Sequence, residues 1–230
     1  MVQSPQVKRR IAQDAPLPGC LLPRAFFEHS PRQVAPRLLG RLLVHRTPAG
    51  TLAGRIVEAE AYLGPHNTPP DPAAHAHRGP TPRNRVLFGT AGHAYVYAIY
   101  GRYFCMNISC EAHGLAGCVL LRALEPVTGA DQMALNRGLA PGAAAPLLTS
   151  GPSRLCQAMG LSRLAHNGLD VTSAASPLQV RDDGFPVPEI LVTPRIGIKH
   201  AVDWPLRFAL PGHKCVSGPR TLSGSRIYST

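Results

Sequence analysis

Along this chain of 230 residues, short alternating or continuous apolar runs are separated by Gly, Pro and Asn turns, a pattern that predicts strands more often than helices. The run RLLVHRT (41–47), the turn Pro48-Ala49-Gly50 and the longer run TLAGRIVEAEAYLG (51–64) predict a β-hairpin with a long second strand. Three further β-prone runs, AYVYAIY (94–100), YFCMNISC (103–110) and GCVLLRALEP (117–126), are divided by Gly-containing turns and predict an antiparallel meander. Helical signals are shorter. Ser30-Pro31 and Gly40 bracket one helix through N-cap, N1 and C′ preferences, with Pro36 opposing it, and DQMALNRG (131–138) and PSRLCQAMG (152–160) predict two more. The stretch 139–152, LAPGAAAPLLTSGP, reads as a flexible linker, and 191–210 as one or two short strands or turns. The loop from Pro65 to about Arg83 is Pro- and His-rich and too long to serve only as a connection. No internal repeat is visible. The expected class is α+β: a Pro-rich, basic and disordered tail over 1–20, one domain over 21–211, and a polar tail over 212–230.

Charge changes this picture. Lys and Arg number 24 against 13 Asp and Glu, a net charge of +11, which suits a partner rich in phosphate. An anionic membrane surface would also suit it, but no stretch approaches the roughly 18 apolar residues a membrane span requires, and no basic amphipathic helix stands out. The N-terminal residues are basic without an apolar stretch behind them, so no secretory signal is expected and the cytoplasm is the expected compartment. Six cysteines occur without a C-x-x-C pair, and Cys105, Cys110 and Cys118 fall in apolar runs, which predicts reduced buried thiols rather than a disulfide or zinc framework.

Candidate chemistry lies in three places. In RIVEAEAYLG, strand alternation sends Val57, Ala59, Ala61 and Leu63 to one face and Glu58, Glu60 and Tyr62 to the other, a polar face that reads as solvated surface or as a site. The loop that follows offers His66, Asp71, His75 and His77 as metal ligands, but their spacing fits no rigid ligand set, and no metal is expected. His rings with Arg78, Arg83 and Arg85 suit base stacking and phosphate better, and the same residues also read as an ordinary solvated loop. Residues 95–104 hold four of the six tyrosines: Tyr95 and Tyr97 share a strand face with Ile99, while Tyr100 falls at a hairpin tip. An aromatic tip is a candidate wedge between base pairs, and a tyrosine-rich sheet core is the plainer alternative.

Taken in order, VEAEAYLGP, DPAAHAHRGPTPRNRVLFG, AYVYAIYGRYFCMNIS and CVLLRALEP resemble the alkyladenine (3-methyladenine) DNA glycosylase family, bacterial members included, over about residues 30–210. The resemblance implies a curved, mostly antiparallel sheet with flanking helices and a protruding hairpin that inserts into DNA. It implies that Glu60 is the general base that activates water, with Arg122 helping to place that water. By the same resemblance Tyr62 forms one side of the base pocket, His75 and Tyr97 the other, Asn107 disfavours the amine of normal guanine, and Tyr100 intercalates. His77 competes with His75 for the stacking place; His75 is preferred because it follows Ala73-Ala74. The implied activity is monofunctional hydrolysis of damaged purines (3-methyladenine, 7-methylguanine, hypoxanthine, ethenoadenine) from double-stranded DNA in base-excision repair. The protein would act as a monomer, without metal or organic cofactor and without lyase chemistry, at the bacterial nucleoid. Two rivals accompany this reading: a non-catalytic binding module for damaged nucleic acid, and a metal-dependent phosphoesterase built on the four loop residues.

Overall fold

One long strand organises the sheet. The computed structural model describes residues 17–218 and 225–229. Its strands are β1 (Cys20–Leu21), β2 (Leu42–Thr47), β3 (Gly50–Tyr62), β4 (Ala94–Ile99), β5 (Tyr103–Cys110), β6 (Gly117–Thr128), β7 (Leu178–Asp182), β8 (Glu189–Thr193), β9 (Arg207–Ala209) and β10 (Arg226–Ser229). Its helices are α1 (Pro31–Leu38), α2 (Ala130–Asn136), α3 (Ala145–Thr149), α4 (Pro152–Ala158) and α5 (Arg163–His166). The strands form a single sheet in the order β1-β7-β2-β3-β6-β5-β4, with β9 joining β3 to β8 and β10 pairing with β8. Every pairing is antiparallel. The α+β class, the first hairpin and the meander over β4, β5 and β6 agree with the sequence pattern.

β3 changes partner halfway along one edge. Its first half pairs with β2, from Thr47 opposite Gly50 to Leu42 opposite Arg55; its second half pairs with β9, where Glu58, Ala59 and Glu60 face Ala209, Phe208 and Arg207. β6 follows the opposite edge, with register shifts on both sides of Glu58. Such irregularities re-aim side chains, and this one corrects the expected alternation. Ile56, Ala59, Ala61 and Leu63 enter the main core, whereas Val57 joins a separate cluster with Ala123, Ala209, Cys215 and Val216.

The helix α1 starts at Ser30-Pro31 and ends before Gly40, whose φ of +80° is the left-handed turn that glycine accommodates. Pro36 lies inside it at a cost of roughly 3 kcal/mol, but Val34 and Leu38 are fully buried against the core, and burial of each contributes about 1.5–3 kcal/mol. The expected linker is not uniformly flexible: α3 forms within it, with Leu148 and Thr149 buried and the Thr149 hydroxyl bonded to the Leu124 carbonyl. The strand β7 and the helix α5 were not anticipated by the pattern. Most of the N-terminal tail lies outside the described residues. Past Gly212 the chain is more than a polar tail, because Cys215 is fully buried and β10 lengthens the sheet. All six cysteines are free thiols, five of them buried. Among the described residues, no helix is long and apolar enough to cross a membrane.

Candidate active site

Glu58 and Glu60 on β3 are both completely buried, so the solvated reading of that face does not hold for either carboxylate. Buried charges require partners, and these carboxylates have them. Glu60 Oε1 accepts the Ile196 backbone N–H at 2.8 Å and faces Arg122 Nη1 at 3.2 Å, while Oε2 accepts the Tyr62 hydroxyl at 3.0 Å. A carboxylate offers about four acceptor positions, and on Oε2 the Tyr62 hydroxyl is the one bonded donor among the described residues. Burial and the neighbouring Glu60 both push the Tyr62 hydroxyl above its usual range, which keeps it a proton donor. Burial opposes the charge on Arg122, but Glu60 and Glu58 more than offset this and raise its pKa.

A cavity of about 390 Å³ opens over this group and is lined by Tyr62, His75, Tyr97, Tyr100, Asn107 and Arg122, with Tyr95 and Ile196 beside them. That volume falls within the usual span of small-ligand pockets. Glu60 does not line the wall. It lies one layer behind, and three groups that do line it, from Tyr62, Arg122 and Ile196, are bonded to its carboxylate. The expected site residues thus converge, drawn from β3, β4, β5, β6 and the loop after β3.

The His75 ring, also lining the cavity, meets Tyr97 edge-on at 4.5 Å, and its Nδ1 lies 3.1 Å from the Tyr95 hydroxyl. Tyr95 and Tyr97 stack at 5.2 Å, as expected for residues on one strand face. Burial, and then Arg83, lowers the pKa of His75, so its ring is neutral near pH 7. His77 does not line this cavity; it borders a second depression with Arg78 and Arg83. Asn107 is buried, its Nδ2 3.4 Å from the Tyr95 carbonyl.

Between β4 and β5 the chain reverses through Tyr100, Gly101 and Arg102. Tyr100 has a φ of +48°, rare for a residue with a side chain, and is 89% exposed, while Gly101 follows at +76°. A large aromatic ring is therefore presented to solvent at the rim of the cavity it lines.

The four candidate metal ligands are not gathered. Asp71 is held by Arg195 at 2.6 and 2.9 Å and accepts the N–H groups of Leu63 and Ala73; His75 meets Tyr95; His66 lies 3.3 Å from Glu111. Among the described residues, no three His, Cys, Asp or Glu side chains are placed to hold a metal ion. The loop is pinned instead, by Asp71 and by Asn84, whose amide donates to the His75 carbonyl at 2.9 Å.

Four residues of this region escaped the sequence pattern: Arg195, Ile196, Arg207 and Ser217. Arg195 packs over the Tyr62 ring at 4.6 Å and Ile196 holds Glu60; Arg207 and Ser217 hold Glu58. The available signal was a lone arginine inside an apolar run, Arg207 between Leu206 and Phe208, since a charge there must find a buried partner.

The chain resembles known proteins over most of its length. Residues 25–214 match the family model described as methylpurine-DNA glycosylase. A protein of Koribacter versatilis named "Putative 3-methyladenine DNA glycosylase" is 50% identical over 212 residues, 92% of this chain and 98% of that protein. Proteins of the same name from Methanoculleus marisnigri and Burkholderia orbicola are 50% and 45% identical, over 85% and 91% of this chain and 98% and 97% of theirs. The chain belongs to the methylpurine-DNA glycosylase family, hydrolases of the N-glycosyl bond that act on DNA.

Proposed function

We propose that this protein excises alkylated or deaminated purines, of the class of 3-methyladenine, 7-methylguanine, hypoxanthine and ethenoadenine, from double-stranded DNA as a monofunctional glycosylase in the bacterial cytoplasm. The base leaves the duplex at a cost of a few kcal/mol, least for a damaged pair. Stacking between Tyr62 and the His75–Tyr97 pair returns part of that cost, at about 1–3 kcal/mol per base contact. A neutral His75 adds no repulsion toward a cationic alkylated base, which is attracted to the faces of the tyrosine rings. Asn107 disfavours normal guanine, and Tyr100 fills the gap left in the duplex.

In the chemical step, water held at Glu60 Oε2 attacks C1′ of the sugar. The N-glycosidic bond breaks, the base departs with the bonding electrons, and the water proton passes to Glu60. The carboxylate also stabilises the positive charge developing on the sugar, while Arg122 orients the water. The pocket wall contains no lysine to form a Schiff base, and Lys199, next to the lining residue Ile198, is exposed. The products are therefore a free base and an intact abasic strand. Phosphate contacts from the basic surface supply most of the binding, which weakens as salt rises.

The observation that carries this reading is the Glu60 carboxylate, bonded to three groups that all line the aromatic cavity. Base release from duplexes containing hypoxanthine or an alkylated purine, compared for wild type and Glu60→Gln, tests it. The expected result is release by the wild type in excess chelator, and its loss in the variant with duplex binding kept. A wild type that binds such duplexes without releasing base favours the non-catalytic module.

A further inference from the structure

Glu58 stands two residues from the proposed base, equally buried, yet it lines no part of the cavity. It therefore touches no substrate, and its role must pass through its neighbours. Oε1 accepts Arg122 Nε at 2.8 Å and Arg207 Nε at 2.7 Å, and Oε2 accepts the Ser217 N–H at 2.6 Å. Arg207 is itself fixed, with Nη1 on the Thr193 hydroxyl at 2.9 Å and Nη2 on the Ser217 carbonyl at 2.8 Å. The Ser217 hydroxyl accepts Arg122 Nη2 at 3.2 Å.

These contacts decide where Arg122 points. A guanidinium is a rigid planar fork. With Nε tied to Glu58 and Nη2 to Ser217, its remaining end, Nη1, is directed at Glu60 and the cavity. We propose that Glu58, clamped by Arg207 and Ser217, is the positioning residue that keeps Arg122 aimed at Glu60 and at the water Glu60 holds. This rests on the reading of Glu60 as the base. The cluster contains two carboxylates, Glu58 and Glu60, and two guanidinium groups, Arg122 and Arg207. Removing the Glu58 charge frees Arg122 to fold onto Glu60, where it occupies the position meant for water.

Arg122 from β6 and Tyr62 from β3 bond Glu60 directly, and Cys105 from β5 lies within electrostatic reach of it; Glu58 and Arg207 connect to it through Arg122, and Arg195 through the Tyr62 ring. Glu58→Gln removes one negative charge among them and leaves the rest. Single-turnover base release from a hypoxanthine duplex, measured together with duplex affinity and melting temperature, separates positioning from mere stabilisation. The expected rate per active molecule is lower by about tenfold or more at unchanged affinity, because a misaimed Arg122 no longer places the water. A purely structural role lowers the melting temperature and the active fraction, but leaves the rate per active molecule where it was; that outcome overturns the proposal. Should Glu58→Gln fail to fold, Ser217→Ala removes only the hydroxyl on Arg122. A roughly threefold or greater loss of rate at wild-type affinity supports the proposal, and a wild-type rate overturns it. Glu60→Gln, assayed in parallel, reports on the base separately: activity retained there sinks the catalytic reading itself, whatever Glu58 does.

Discussion

The Tyr62 hydroxyl donates to Glu60 Oε2 across 3.0 Å, so the ring that walls the cavity and the carboxylate behind it form one unit. A base stacked on that ring rests on a group already bonded to the atom proposed to activate water. Arg195 occupies space over the same ring, at 4.6 Å, and is fixed by Asp71. In the proposed reading, binding and chemistry are coupled through these contacts rather than placed side by side.

Tyr62→Phe keeps the ring and removes only this bond. Lesion-duplex affinity should stay within about twofold of wild type, since stacking requires only the ring face. Base release should slow by about tenfold, as a hydrogen bond to a charged group is worth about 1.5–3 kcal/mol. Single-turnover kinetics decide the matter, and a wild-type rate would show that the hydroxyl does not act on the base.

The Asp71–Arg195 pair is inaccessible to solvent on both sides. Asp71→Asn strands a buried guanidinium, at a cost of about 3–5 kcal/mol. Adding Arg195→Met removes the stranded charge and should recover part of that loss, the remainder reflecting the backbone N–H groups of Leu63 and Ala73, which bond one to each Asp71 carboxylate oxygen. Urea unfolding of the single and double variants measures both. A double variant no more stable than Asp71→Asn rules out the stranded charge as the cause.

The sequence made the local features legible. Period-two alternation between glycine turns marked β4, β5 and β6, and Ser30-Pro31 with Gly40 marked α1. The shared side of Glu60 and Tyr62 followed from strand geometry, and so did Tyr100 at a turn. Features that depend on distant partners were not legible. β7 is five residues long and gains its place by pairing with β2, more than a hundred positions earlier. Beside a register shift, the buried charge of Glu58 is partnered by Arg207, 149 positions away, and Ser217, 159 away. Alternation cannot register a bulge, nor a buried charge whose partners are so distant in sequence. Nor can it place Glu60 behind the pocket wall rather than on it, since that depends on the side chains packed in front.

His45 and His166 form a buried neutral pair whose tautomers follow from their partners. His45 Nδ1 donates to the Met159 carbonyl at 2.7 Å, which leaves its Nε2 to accept from His166 Nε2 at 3.1 Å; His166 Nδ1 lies 3.1 Å from the Ser162 N–H and 3.2 Å from the Ser162 carbonyl. Burial lowers both pKa values below the ordinary 6.5. The unfolded chain therefore takes up protons at a higher pH than the native one. The pair's contribution to stability is complete above about pH 6.5 and is lost as pH falls below it toward the lowered native values, at up to about 1.4 kcal/mol per pH unit for each proton. Unfolding free energy from pH 8 to pH 5 should fall less steeply in a His45→Asn/His166→Asn variant than in wild type. Parallel slopes would assign the acid sensitivity to other groups.

At Tyr100 stability and function are expected to separate. The residue holds a left-handed backbone conformation, φ +48°, which costs a side-chain-bearing residue about 1–2 kcal/mol and glycine almost nothing, and its exposed ring contributes little packing in return. Tyr100→Gly should therefore melt at or above the wild-type temperature. The ring's proposed task is to fill the duplex where a base has been extruded, a step whose unstacking costs a few kcal/mol. Without the ring, preference for lesion-containing over undamaged duplex should fall by about tenfold or more, and Tyr100→Phe should retain it. Competition binding with matched duplexes reads the preference, and thermal melting reads the backbone. A glycine variant that still selects the lesion at wild-type strength would leave Tyr100 as a turn residue only, and the wedge would have to be sought elsewhere on the rim of the cavity.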